Sequence, residues 1–180
     1  RLQRELGITA VYVTHDQIEA LAMSNQIAVM NSGRIEQIGR PREIYERPAS
    51  RFVAGFIGTT NFLSGKVDEA RSDWARVVTS TGPLEVSTPV AFARGADVTV
   101  SIRPEHVGIT PIDEDTSADV GEWVGTVSTR AFLGEVVDHL VTIDALELRV
   151  RCPSTQSIPP GTRVQLDLPS RHCLVVREDT

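Results

Sequence analysis

The sequence predicts a mainly β protein, an antiparallel barrel or sandwich of two related halves preceded by a short α/β segment. Three observations predict it. Beyond about residue 58 the apolar period is two. Val98, Val100 and Ile102 alternate with Thr99, Ser101 and Arg103, and Val164, Leu166 and Leu168 alternate with Arg163, Gln165 and Asp167, the pattern of half-buried strands. The β part also repeats itself. Gly65-Lys-Val67 answers to Gly125-Thr-Val127, Gly95 and Gly161 precede the two alternating runs, and Pro104 with His106 answers to Pro169 with His172. Before residue 58 the pattern is different: a β-branched run, Val11-Tyr12-Val13-Thr14, is followed at once by the helix-start residues Asp16 and Glu19.

The α/β segment reads in order as follows. A helix end over residues 1–6 passes through Gly7 into a strand over 10–14, apolar enough to be buried on both faces. A helix over about 16–24 places Ile18, Leu21 and Ala22 on one face. Strands over 27–31 and 34–38 flank Asn31-Ser32-Gly33, a hairpin turn. Pro41 suits the first turn of a short helix over 41–46. Another helix starts at Pro48 and ends near Gly55 or Gly58. The boundary falls at 58–61, giving units 1–58 and 59–180. In the second unit residues 111–119, rich in Asp, Ser and Thr, read as a mobile connecting loop. Half a barrel buries too little to stand alone, so the two halves are expected to form one compact β unit over about 60–178.

Composition narrows the functional classes. The chain has 180 residues, 41% of them hydrophobic and 23% charged, with a formal net charge of −6. That is an ordinary globular balance. Its basic residues are nearly all arginine, with Lys66 the single lysine. No basic patch is evident, so a nucleic-acid partner is not expected. No apolar run reaches the length of a membrane span. Cys152 and Cys173 are read as reduced, partly buried thiols, and His106, His139 and His172 are too scattered to spell a metal site. The few aromatics of the β part (Phe62, Trp74, Phe92, Trp123 and Phe132) are widely spaced, and most of them read as core rather than as a stacking platform.

The segment Val11-Tyr12-Val13-Thr14-His15-Asp16-Gln17-x-Glu19-Ala20 closely resembles the switch-histidine region of ABC-transporter ATPase subunits. The likeness runs on through Gln26 to Met30, Gly33 to Gly39, Pro41-x-Glu43-Ile44-Tyr45 and Pro48 to Gly58, the import branch of the family. It implies that His15 hydrogen-bonds the γ-phosphate of ATP and that Thr14, Asp16 and Gln17 shape the switch loop. Gly95-x-x-Val-x-Val-x-Ile-Arg-Pro-Glu105 resembles the transport-associated OB domain (TOBE), an OB-like barrel that follows the ATPase in importers of sugars, polyamines and ferric iron. Residues 121–175 resemble its second repeat. Residues 1–58 are then an α/β remnant of a P-loop ATPase domain. The resemblance further implies ATP and Mg as cofactors of the full-length subunit. Its implied partners are a second copy of the subunit (a homodimer), transmembrane permease subunits and a possible regulatory protein on the β domain. The implied location is the cytoplasmic face of the bacterial inner membrane. Arg103 and Glu105 are expected to form an exposed ion pair beside Pro104, worth about 0–1 kcal/mol.

Much of an ATPase is missing. The phosphate cradle G-x-x-x-x-G-K-[ST] does not occur, and no apolar strand ends in an Asp-Glu pair. Leu63-Ser64-Gly65 mimics the start of the family's signature loop but leads into strand-like sequence. The expectation is a carboxyl-terminal fragment that is catalytically inactive alone, needs no cofactor or metal itself, and comes from a parent that is an ATPase. Its amino-terminal segment should be rearranged or packed against a second copy. The alternative is a freestanding OB-type regulatory or small-ligand module for sugars or oxyanions. A hydrolase using His15 as base lacks an activated nucleophile.

Overall fold

The structure, a computed structural model, describes residues 7–88, 90–113 and 123–178. The helix end expected over 1–6, and most of the loop expected over 111–119, lie outside the described residues.

The α/β segment contains α1 (Gln17–Met23), the hairpin β1 (Ile27–Asn31) and β2 (Arg34–Gly39), α2 (Pro41–Glu46) and α3 (Arg51–Phe56). The hairpin turns on Ser32 and Gly33, with φ of 47° and 78°, both in the left-handed region that a two-residue turn of this twist requires. Ser50, rather than Pro48, begins the last helix, its side chain accepting from the Val53 amide. Ile27, Val29, Ile44, Val53 and Ile57 make a small core, joined at its edge by Ala20 and Leu21.

Two expectations fail here. Residues 10–14 are not a strand, and Val11 and Val13 are each 92% exposed. A strand needs a neighbour to satisfy its ladder, and no strand pairs with this run among the described residues. The face of α1 is also different: Ile18 is 79% exposed and Ala22 is exposed, while Ala20 and Leu21 touch the core.

Among its described residues the β unit has ten strands: β3 (Asn61–Ala70), β4 (Trp74–Thr79), β5 (Pro83–Ser87), β6 (Asp97–Ile102), β7 (Gly108–Pro111), β8 (Val124–Phe132), β9 (Val136–Ile143), β10 (Leu146–Pro153), β11 (Arg163–Asp167) and β12 (Leu174–Val176). The first half closes into a barrel, β12-β5-β4-β3-β6, and the second is a five-stranded sheet, β10-β9-β8-β11-β7. Each half borrows its last strand from the other. β7 pairs with β11, Ile109 opposite Leu166, and β12 pairs with β6, Val175 opposite Val100. One core therefore runs through both halves, from Leu63 and Val100 to Val164 and Cys173.

The internal repeat is visible bond by bond. β3 bulges after Val67 and β8 after Val127. The Gly95 amide donates to the Val67 carbonyl at 2.7 Å, and the Gly161 amide to the Val127 carbonyl at 2.8 Å. Both glycines sit at positive φ, 84° and 87°. Gly65 and Gly125 are packed alike: a Cβ would lie 2.5 Å from Val77 Cγ1 in the first case and 2.6 Å from Ile143 Cγ1 in the second. Leu63-Ser64-Gly65 lies within β3 and not at a helix start. Of the aromatics, Trp123 is buried and Phe92 packs on the core, whereas Phe132 is 70% exposed at the β8–β9 tip.

Candidate functional site

Three of the four expected switch residues lie in one turn. The Asp16 carboxylate caps α1, its Oδ1 accepting from the Ile18 and Glu19 amides at 2.8 and 3.1 Å. The Thr14 hydroxyl accepts from the Asp16 amide at 2.9 Å and donates to Glu19 Oε2 at 3.2 Å. His15 stands between these two clamped neighbours and is exposed. Its position is fixed by the backbone on either side, and its ring faces solvent.

That set fits a triphosphate only in part. Thr14 and Asp16 are spent on the turn itself, which leaves His15 as the one expected residue free to meet a γ-phosphate held mainly by other groups. Its ring would supply a hydrogen bond or positive charge. Among the described residues no group of three or more His, Cys, Asp or Glu side chains is arranged to hold a metal ion.

Gln17 points elsewhere. Its Oε1 accepts from the Gly58 amide at 2.9 Å, across 41 residues of sequence. The Gly58 carbonyl in turn accepts from the Arg103 guanidinium of the β unit at 3.2 Å. Arg103 is 6% exposed. It also donates to the carbonyls of Ala54, Thr59 and Tyr45 at 2.9, 3.1 and 3.2 Å, and lies over the Tyr45 ring at 4.2 Å. Burial pulls its pKa down, opposed by Tyr45 and Glu105. The expected Arg103–Glu105 pair is thus replaced by a different arrangement. Arg103 serves backbone carbonyls of the α/β segment, and Glu105 accepts from the Tyr45 hydroxyl. Burial and that hydrogen bond push Tyr45 up to about 12. A guanidinium can serve several carbonyls where a shorter cation cannot, which is why Arg103 turns inward. Tyr45 and Gly58 were legible only as family-matching letters; nothing in their spacing said that they meet Arg103.

The remaining polar groups have structural surroundings. Asp138, 6% exposed, accepts from Arg151 at 2.7 and 2.9 Å and from Arg149 at 3.3 Å. The hydrogen bond from Arg151 is the chief reason its carboxyl titrates low. His139 is fully buried and accepts from the Ile158 amide at 3.0 Å. His106 and His172 stack on each other. Cys152 and Cys173 are buried and unpaired with each other, and burial pushes Cys173 up to about 12.

Comparison with known proteins agrees with this architecture. The TOBE domain family matches residues 100–176. The chain is 39% identical over 183 aligned positions to a spermidine/putrescine import ATP-binding protein, PotA, of Ruegeria pomeroyi, covering 99% of this chain and 48% of that protein. The PotA of Methylococcus capsulatus is 41% identical over 92% of this chain and 44% of its own length, and that of Acidothermus cellulolyticus 43% identical over 82% and 38%. The chain thus spans about half or less of the length of these relatives. Among solved structures the cytoplasmic molybdate-binding protein ModG superposes with a TM-score of 0.56 at 11% identity, over 73% of this chain and 99% of ModG, a likeness of OB-type fold alone. Residues 100–176 thus match the TOBE domain family, and the chain along its whole length is similar to the carboxyl-terminal part of spermidine/putrescine import ATP-binding proteins.

Proposed function

We propose that the chain is the carboxyl-terminal part of the ATP-hydrolysing subunit of an ABC solute importer, with residues 1–58 completing the nucleotide-switch side of the ATPase and residues 59–180 serving subunit dimerisation and regulation. In this reading His15 is the switch residue at the γ-phosphate of ATP, with Mg and the phosphate cradle supplied by residues outside this sequence. The carrying observation is the match of 39% identity over 99% of the chain, joined to a turn that fixes Thr14 and Asp16 and leaves His15 exposed. The subunit would pair with a second copy and with transmembrane permease subunits, and could receive a regulatory protein on the β unit. Membrane attachment at the cytoplasmic face of a bacterial inner membrane would come through the permeases, as no helix among the described residues is long and apolar enough to cross a membrane. The relatives' names make polyamines the first solute class to test.

The ligand-binding alternative has less behind it. A groove of the first barrel, about 730 Å³, has Lys66, Asp68, Arg94 and Asp97 among its lining residues. Those charges already neutralise one another, Lys66 with Asp97 at 2.6 Å and Arg94 with Asp68 at 3.0 Å. A sugar or oxyanion would have to displace them.

The test is His15→Ala in the complete importer. Turnover should fall roughly 100-fold, the scale of losing one preorganised donor at a developing charge, with ATP binding nearly unchanged. Near-normal turnover would overturn the assignment.

A further inference from the structure

We infer that Gln17 and Arg103, meeting on the two polar groups of the Gly58 peptide backbone, are positioning residues through which the β unit holds the helix that follows His15. The inference rests on the reading of His15 as the nucleotide switch, and adds to it a named route from that switch to the β unit.

Gly58 is built for such a meeting. Its φ of +81° lies in the left-handed region, and an added Cβ would come within 3.3 Å of the Tyr45 ring and 3.7 Å of the Arg103 guanidinium. Only glycine takes this backbone shape without strain. Its N–H is shared between the Gln17 side chain at 2.9 Å and the Phe56 carbonyl at 3.2 Å. Its C=O accepts from Arg103. Gln17 is the first residue of α1 and stands two positions after His15, and Asp16 between them caps the same helix. Arg103 stands at the end of β6 and is desolvated. α1 has no fully buried residue of its own, so a hydrogen bond to Gly58 is a large share of what fixes it. A helix held by so little packing opens locally, and whatever fixes Gln17 limits where His15 can point. Arg103 fixes the acceptor side of that same residue by also holding Ala54 and Thr59. A shift of the β unit would then reach His15 through one glycine.

Amide exchange on this chain is the first test. Gln17→Leu removes the acceptor. It should speed exchange at Gly58 and in α1 by about fivefold to tenfold, the worth of one such hydrogen bond, while Gln17→Glu, which keeps an acceptor, restores most of the protection. Arg103→Lys should speed exchange at Gly58 and also in α1, while the β9 and β10 amides stay protected. Loss of protection confined to residues 54–59, with α1 unmoved, would overturn the tie. Should Arg103→Lys unfold the chain, the Gln17 pair still decides the matter. In the complete importer Gln17→Leu should lower kcat with little change in KM for ATP, and Gln17→Glu should recover it. An unchanged kcat beside a normal His15→Ala defect would refute the positioning role. A complete importer indifferent to His15→Ala would instead remove the switch reading and leave the exchange result standing.

Discussion

His106 and His172 lie face to face, ring centroids 3.8 Å apart and planes 19° from parallel. Each follows the turn glycine of its own half by eleven residues, and each sits in a short 3-10 turn, Pro104–His106 or Ser170–His172. The repeat thus brings two copies of one residue together at the point where the chain crosses to the opposite half. Two imidazolium ions cannot share that spacing cheaply. Burial, His106 and Arg171, in that order, pull the His172 pKa below the ordinary histidine value, while Glu46 of α2 opposes them. Arg171 also donates to His172 Nε2 at 3.1 Å, which marks that nitrogen as unprotonated.

His172 should therefore titrate below about 6.5. Replacing its partner, His106→Asn, removes one of the charges that oppose protonation and should move the His172 titration upward. Ring-proton NMR across pH 4–8 would read both. A His172 titration that does not move would mean that burial and Arg171 alone set it.

A second pH effect comes from His139. Its pKa is lowered, chiefly by burial and then by Arg130, and its Nε2 accepts from the Ile158 amide. The folded chain keeps the ring neutral. Above about pH 6.5 the ring is neutral folded and unfolded alike, so it adds no pH dependence. As pH falls below that, the unfolded chain takes up a proton that the folded chain refuses, and stability drops until the lowered folded pKa is reached. Asp138 adds a further loss in the same direction at lower pH, below about 3.8. Urea melts should show falling stability between pH 7 and 5. His139→Leu should remove most of His139's part of that slope and cost about 1–3 kcal/mol at pH 7, because the Ile158 N–H loses its acceptor in a buried place. An unchanged slope in the variant would assign the effect to other groups.

How much of this was legible in the sequence differs by element. Period-two alternation located β6 and β11, because inward side chains along a pleated strand must be apolar. It also understated β6, where Thr99 and Ser101 are buried too. Spacing of Gly95 and Gly161 revealed the repeat, because a bulge closed by a left-handed glycine tolerates little else. The exchange of β7 and β12 was not legible, as alternation says which face a strand buries and nothing about which half it joins. The run Val11 to Val13 carried strand propensity, but propensity does not supply a partner strand. At the candidate site Asp16 and Glu19 read correctly as a helix start, whereas Thr14 read as the end of a strand that does not form. The role of Arg103 did not, because its carbonyl acceptors come from residues 45–59, far away in the chain.

The exchange of end strands gives the sharpest structural prediction. Val176 is 4% exposed and lies in β12, which closes the first barrel by pairing antiparallel to β6 and parallel to β5. By sequence order it belongs to the second half. A buried charge there, Val176→Asp, has no partner to stabilise it and should expel the strand, because desolvating a lone carboxylate costs more than a three-residue strand returns. The damage should appear where the strand pairs and not where it originates. Amide protection should drop in β6, at Thr99 to Ser101, and near Ser87 of β5. The β9–β10 hairpin, from Val136 to Pro153, should keep its protection. The mirror change, Ile109→Asp in β7, should reverse the pattern: Ile109 is buried opposite Leu166, so β11 should lose protection while β3 and β4 keep it. If each substitution instead loosened only its own half, the halves would be folding independently and the exchanged strands would be incidental to closing them.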